Sequence, residues 1–186
     1  MTGSGAQPFE RWRGVDAVVA GYAGTSAGCD AFATAVAELR RALPAVRIWL
    51  LRPEDVPSAG AGGDEDRVIA YPDPHADPDR DAAALRRAFR AVDALIASRA
   101  DAALIFTERG SAPYAPAYLC YLAGIGFRAG IESEFSGAVL SPAVRVAAEF
   151  DDVGRHLALL ELVGIGSGAS RADTHGAAAV TSPRST

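Results

Sequence analysis

Residues 101–140, DAALIFTERGSAPYAPAYLCYLAGIGFRAGIESEFSGAVL, decide the fold of this chain. Asp101 to Thr107 has an unbroken apolar centre, the pattern of a parallel strand covered on both faces rather than the alternation of a strand with one wet face. A polar loop of Glu108, Arg109, Gly110 and Ser111 follows at once, and the Tyr-rich segment 115–123 then reads as a helix. In open α/β sheets the ligand crevice opens beyond the carboxyl ends of the strands. Glu108, Arg109 and Ser111 therefore stand where a ligand would meet polar groups.

Outward from this stretch the same strand-then-helix rhythm fills the chain. Residues 15–22 (VDAVVAGY) make a first apolar run, and AGTSAGC leads from it into a helix from Asp30 to Leu43 that Pro44 stops. Residues 46–52 (VRIWLLR) form a second strand and 67–71 (RVIAY) a third, and the Pro- and Gly-rich connection between them is expected to be mobile at its tip. The loop PDPHADPD cannot be helical, but Asp79 can cap a helix over 80–100. There Leu85, Phe89, Val92 and Ile96 recur at helical spacing and mark the face expected on the sheet. Residues 127–131 (FRAGI) give a fifth strand and 152–163 a last amphipathic helix. Strands alternating with helices define an α/β domain, a Rossmann-like parallel sheet with helices on both faces and right-handed crossovers. The expected division is a flexible N-terminus over 1–14, the domain over 15–165 and a disordered tail over 166–186.

Composition narrows the chemistry. A net charge of -5 argues against a general nucleic-acid binder, which needs a basic face to displace counterions from phosphates. All 18 cationic residues are Arg, so a Walker-type phosphate loop and a Schiff-base mechanism, each of which needs Lys, are excluded. Cys29 and Cys120 are widely separated and read as buried thiols, and His75, His156 and His175 share no ligand spacing, so no metal site is expected. With no signal-like apolar run and no membrane span, the reading is a cytoplasmic protein.

The polar residues that could carry function all follow strands. Tyr22 to Asp30 lies at the carboxyl end of the first strand, where a helix N-terminus favours anionic groups. Gly21, Gly24 and Gly28 lack the GxGxxG spacing, and Arg52-Pro53 stands where a dinucleotide site would end its second strand in an acid. Asp30 is either a general base facing an acceptor hydroxyl or the cap of the first helix. Glu108 and Arg109 contact a ligand or serve as ordinary loop charges. Tyr114, Tyr118 and Tyr121 line a sugar groove or form a packed helix face. Glu132 and Glu134 follow the fifth strand as paired carboxylates or as solvated charges.

The runs DAALIFT, SAPYAPAYLCYLAGIGFRAGIESEF and AVLSPAV resemble the acceptor-side domain of glycosyltransferase family 9, the ADP-heptose:lipopolysaccharide heptosyltransferase family. AELRRALPAVRIWLL resembles that family's opening unit, and VGRHLALLELVGI the helix leading out of its first domain. The resemblance covers residues 16–165 and is most specific at AYLCYLAGI. It implies the N-terminal half of a GT-B glycosyltransferase, which transfers a sugar from a nucleotide-sugar donor to an acceptor hydroxyl with inversion and without a metal. It further implies that Asp30 is the base, since the family's base is an Asp in a Gly-Asp pair opening the first helix. Here Cys29 separates Gly28 from Asp30, and Asp151 stands where the family carries a His before its exit helix. Ser26, Glu108, Arg109, Ser111, Tyr114, Glu132 and Glu134 are the implied acceptor contacts. The partner expected is a glycan or glycolipid acceptor in glycan or lipopolysaccharide-type synthesis. No cofactor is expected, and a nucleotide sugar only with a second, donor-binding domain, whose Asp-Ser/Thr-Gly-x-x-His signature does not occur in the chain. A separate donor-domain chain would supply it; the alternative is a non-catalytic glycan- or protein-binding module, or a truncated remnant, of the same ancestry.

Overall fold

A computed structural model of the chain describes residues 12–57, 67–72, 82–132, 139–146 and 149–166. The expected mobile tip over 58–66, the Asp79 cap, the loop with His75, Glu134 and the tail with His175 lie outside the described residues. In chain order the elements are β1 (Ala17–Ala23), α1 (Cys29–Ala42), β2 (Arg47–Pro53), β3 (Val68–Tyr71) and α2 (Ala82–Ser98). They continue with β4 (Ala102–Thr107), α3 (Tyr114–Leu122), β5 (Phe127–Ile131), β6 (Ala143–Val144) and α4 (Asp152–Leu162). All neighbouring strands pair in parallel, in the order β3-β2-β1-β4-β5-β6. The α/β sheet with helices on both faces is thus the one expected, with one addition. β6 is two residues long, too short to leave a pattern in sequence.

β1 and β4 hold the centre, and every residue of both is buried. Because side chains alternate along a strand, each serves two cores. Val18, Ala20 and Tyr22 join Leu104 and Phe106 against Phe32, Ala35 and Leu39 of α1 and Leu159 and Leu160 of α4. Val19, Ala103 and Ile105 turn to the opposite face, against Ala91, Val92 and Leu95 of α2 and Ala117 and Cys120 of α3. The continuous apolar run at 102–107 is the sequence image of this double burial. Cys29 and Cys120 are free and buried, and burial pushes the Cys120 thiol up to about 12.

The face assigned to α2 needs correction. Val92 is buried, but Leu85, Phe89 and Ile96 are 58%, 56% and 55% exposed. The sheet is met instead by Ala91, Val92, Leu95 and Ser98. α2 carries two apolar stripes, and the one richer in small side chains lets the helix approach the sheet closely, so it is the one buried.

The chain joins the domain earlier than expected. Trp12 is buried, its Nε1 donates to Val163 O at 2.9 Å, and its ring meets Phe127 edge-on at a centroid separation of 6.0 Å. It therefore ties the start of the domain to the end of α4 and to an outer strand. Trp12→Ala should cost about 3 kcal/mol through the lost ring volume and the orphaned Val163 carbonyl. A clear fall in the denaturation midpoint at unchanged m-value is the expected result of urea unfolding.

Candidate functional site

β1 and β4 are neighbours, yet the chain leaves β1 toward β2 on one side and leaves β4 toward β5 on the other. That reversal is the topological switch point, and the loops leaving the two strands must diverge there and open a crevice. The loop after β1 carries Ser26 in a short 3-10 turn, Ser26–Gly28, and runs into α1. The loop after β4 carries Glu108, Arg109 and Ser111. The sheet thus brings Ser26, Asp30, Glu108, Arg109 and Ser111 to one edge, with Tyr114 opening α3 and Glu132 following β5 on the same edge.

The two loops are joined directly. One Glu108 oxygen, Oε2, accepts from Thr25 N at 2.7 Å and from Thr25 Oγ1 at 3.0 Å. Thr25 Oγ1 in turn accepts from Ala27 N at 3.2 Å and caps the 3-10 turn. Beneath them the Tyr22 hydroxyl donates to Thr25 O at 3.0 Å, while Tyr71 Oη donates to Tyr22 O at 2.8 Å. The Tyr22 ring stacks on Phe32 with centroids 4.9 Å apart, and its phenol is pushed up by burial first and by the Glu108 charge second. The loop lies so close over this hydroxyl that a methyl group at Gly24 or Gly28 would overlap it.

Asp30 sits in the first turn of α1 and is exposed. It is not the cap: Gly28 holds that position and makes no side-chain cap. The carboxylate carries no hydrogen bond among the described residues, although the Asp30 carbonyl accepts from Thr34 Oγ1 at 2.9 Å. The helix N-terminus favours its charge.

The other candidates differ in how far they are already engaged. Arg109 is tied to the start of α4: its backbone N donates to Asp152 Oδ1 at 3.0 Å and its guanidinium donates to Phe150 O. Ser111 N donates to Glu108 O at 3.0 Å, closing a turn in which Gly110 takes a positive φ of 85°. Glu132 pairs with Arg145 at 3.3 Å. Tyr114, Tyr118 and Tyr121 do not form a packed face; they are 39%, 51% and 53% exposed, and Tyr118 stacks on Tyr121. Glu134 lies outside the described residues.

Sequence reasoning missed a group behind the crevice. His156 is buried, its Nε2 donates to Thr107 O at 3.2 Å, and its ring meets Phe106 edge-on. Its Nδ1, Thr107 Oγ1 and Arg155 Nε are buried without a hydrogen bond among the described residues, Arg155 Nε lying 3.9 Å from Asp152 Oδ1. Burial lowers the imidazole below its ordinary 6.5, and it lowers Arg155 as well. Nothing in an isolated His on a helix signals this, because the strand that covers it is 49 residues away. Among the described residues no three His, Cys, Asp or Glu side chains gather to hold a metal. A groove of about 420 Å³ between α1 and α4, lined by Glu38, Arg41, Glu161 and Ile165, lies at the far end of these helices from the crevice.

Six parallel strands in this order, with loops diverging between β1 and β4, define a doubly wound Rossmann-type domain. No family model and no curated protein sequence matches the chain. Solved structures do share the fold. Over 84% of its length the chain superposes on 51% of E. coli heptosyltransferase WaaC with ADP-2-deoxy-2-fluoro heptose, at a TM-score of 0.59 and 18% identity. A glycosyl transferase family 9 structure from Veillonella parvula DSM 2008 matches 84% of the chain with 44% of its own length, at 0.56 and 12%. An exopolyphosphatase-related protein from Bacteroides fragilis matches 89% of the chain with 46% of its length, at 0.52 and 12%. The chain spans about half the length of these structures. No helix among the described residues is long and apolar enough to cross a membrane.

Two outcomes follow from this geometry. Gly28→Ala should destabilise the domain by about 2 kcal/mol through overlap with the Tyr22 hydroxyl, and adding Tyr22→Phe should return part of that loss. A double-mutant cycle by chemical denaturation in which the two changes simply add would contradict the overlap. The second outcome concerns pH. His156 has a folded value below its unfolded 6.5, so as pH falls past that point the unfolded chain takes up a proton that the folded one refuses, and stability is lost. His156→Leu should therefore flatten the fall in melting temperature between about pH 7.5 and pH 5.5. Parallel melting curves for the two proteins over that window would disprove it.

Proposed function

We propose that the chain is the acceptor-binding half of a glycosyltransferase that works in glycan or lipopolysaccharide-type synthesis and is completed by a donor-binding domain. The observation that carries this reading is the exposed Asp30 carboxylate, without a hydrogen bond among the described residues, at the switch-point edge of a sheet that superposes on about half of a heptosyltransferase. Asp30 acts as general base. It takes the proton of an acceptor hydroxyl as that oxygen attacks the anomeric carbon of the donor sugar, the new glycosidic bond forms on the opposite face, and the nucleoside diphosphate leaves with the old bond's electron pair. Ser26, Ser111, Tyr114 and Glu132 supply hydroxyl and carboxylate contacts to a polyhydroxylated acceptor. Glu108 holds the two loops together through Oε2 and offers Oε1, which makes no hydrogen bond among the described residues, to an acceptor hydroxyl, while Arg109, anchored to α4, shapes the wall.

A second reading, a glycan- or protein-binding module without catalysis, draws on the interposed Cys29 and on the likeness to an exopolyphosphatase-related protein, since one fold hosts several chemistries. The two readings separate in one experiment. Supplied with a donor-binding domain and a nucleotide sugar, the chain should transfer sugar, and Asp30→Asn should lower kcat by about 10²- to 10⁴-fold while acceptor binding measured by calorimetry stays nearly unchanged. Acceptor binding with no transfer by the reconstituted protein would favour the second reading, and transfer indifferent to Asp30→Asn would remove Asp30 as the base.

A further inference from the structure

Among the described residues, every large hydrophobic side chain that stands exposed lies on α2 or α3. Leu85, Phe89 and Ile96 form a stripe along α2, and Tyr118, Tyr121 and Leu122 project from α3. The two helices touch and cover the same face of the sheet, so their exposed apolar residues are brought to one side of the domain. Scattered apolar residues are normal on a surface, whereas a concentration of them on one side marks a contact site. Aromatic side chains and Arg with few other charges are also the composition of an interface core.

The charges on the patch decide what covers it. α3 carries no charged residue. On the outer side of α2, Arg86, Arg90 and Asp93 are exposed, and Asp93 shares the stripe with Phe89 and Ile96 at helical spacing. A lipid surface would have to desolvate that carboxylate between two apolar anchors, and anionic headgroups would repel it. A second copy of the same helix meets it differently. When α2 packs antiparallel on its own copy about a two-fold axis near its midpoint, Leu85 and Phe89 of one protomer approach Ile96 of the other. Arg90 of each then faces Asp93 of its partner. An isologous contact repeats every favourable pair twice, so a helix with this centred Arg and Asp arrangement is complementary to itself.

We infer that the α2 and α3 face is a homodimer interface, with the two α2 helices antiparallel at its centre. The inference does not depend on the sugar-transfer reading. Sedimentation velocity on the full chain over a wide concentration series should show a reversible monomer-dimer equilibrium. Phe89→Asp should abolish the dimer. Arg90→Asp and Asp93→Arg should each weaken it at least about tenfold, and the two changes together should restore it, because the pair is re-formed with its signs exchanged. All three sites are exposed, so far-UV circular dichroism should be unchanged, and the charge exchange tests the geometry even where Phe89→Asp fails to fold. A chain that stays monomeric throughout overturns the inference, as does a dimer insensitive to these changes. Monomeric protein that instead co-sediments with phosphatidylglycerol vesicles would overturn it too and assign the face to a membrane.

Discussion

The pairing of β1 with β4 is the contact on which the rest of this domain depends. The strands align from Val18 opposite Ala102 to Ala23 opposite Thr107, partners that stand 84 positions apart in the chain. Closing so long a loop costs entropy before any contact returns it. The fold secures the pair at both ends with a carboxylate. At the amino end Asp101 Oδ2 accepts from Asp16 N at 2.9 Å and Ala17 N at 3.2 Å. At the carboxyl end Glu108 accepts from Thr25 twice. Between these two clamps every residue of both strands is buried, and the hydroxyls of Tyr22 and Thr107 are their only polar side-chain atoms. The lower clamp fixes register, and the upper one also fixes the width of the crevice, because its partners belong to the loops that diverge there.

The same pairing explains which parts of the fold could be read from sequence. Double burial leaves an unbroken apolar run, so β1, β2, β4 and β5 announce themselves, and the helices between them follow from loop punctuation at Pro44 and from helical periodicity. Periodicity does not say which of two stripes a helix buries. In α2 the larger residues Leu85, Phe89 and Ile96 stand out in sequence, yet Ala91, Leu95 and Ser98 pack. Size draws the eye, while close approach to a sheet selects for the small. Trp12 was invisible for another reason: its partners Phe127 and Val163 are more than a hundred residues away, and nothing local to FERWRG predicts them.

At the carboxyl edge, position after a strand is legible in sequence, but the use the fold makes of each residue is not. Any polar residue just past a central strand reaches the carboxyl edge, which is why Ser26, Asp30, Glu108, Arg109 and Ser111 fall together. Whether such a residue is used up by the fold depends on what sits opposite. Glu108 meets Thr25 and Arg109 meets Asp152, both distant in the chain, whereas the Asp30 carboxylate makes no hydrogen bond or ion pair among the described residues. Tyr22 shows how much a single buried hydroxyl can demand of its surroundings. Its position dictates that Gly24 and Gly28 lack side chains, so two glycines that fail as a nucleotide fingerprint have a steric reason of their own.

Three of the six buried side-chain polar atoms that lack a hydrogen bond among the described residues gather at one place in the fold. Thr107 Oγ1, Arg155 Nε and His156 Nδ1 cluster behind the carboxyl edge. Each such atom costs on the order of 1–3 kcal/mol when it gives up water without a replacement. A domain stabilised by the apolar layers around β1 and β4 can carry that cost only where the layers are thick, and here His156 is set against Phe106 within the α1 and α4 core. Local departures from good packing chemistry concentrate in proteins where something other than stability is being served. In this chain three of them stand next to the edge where the sheet topology already opens a crevice.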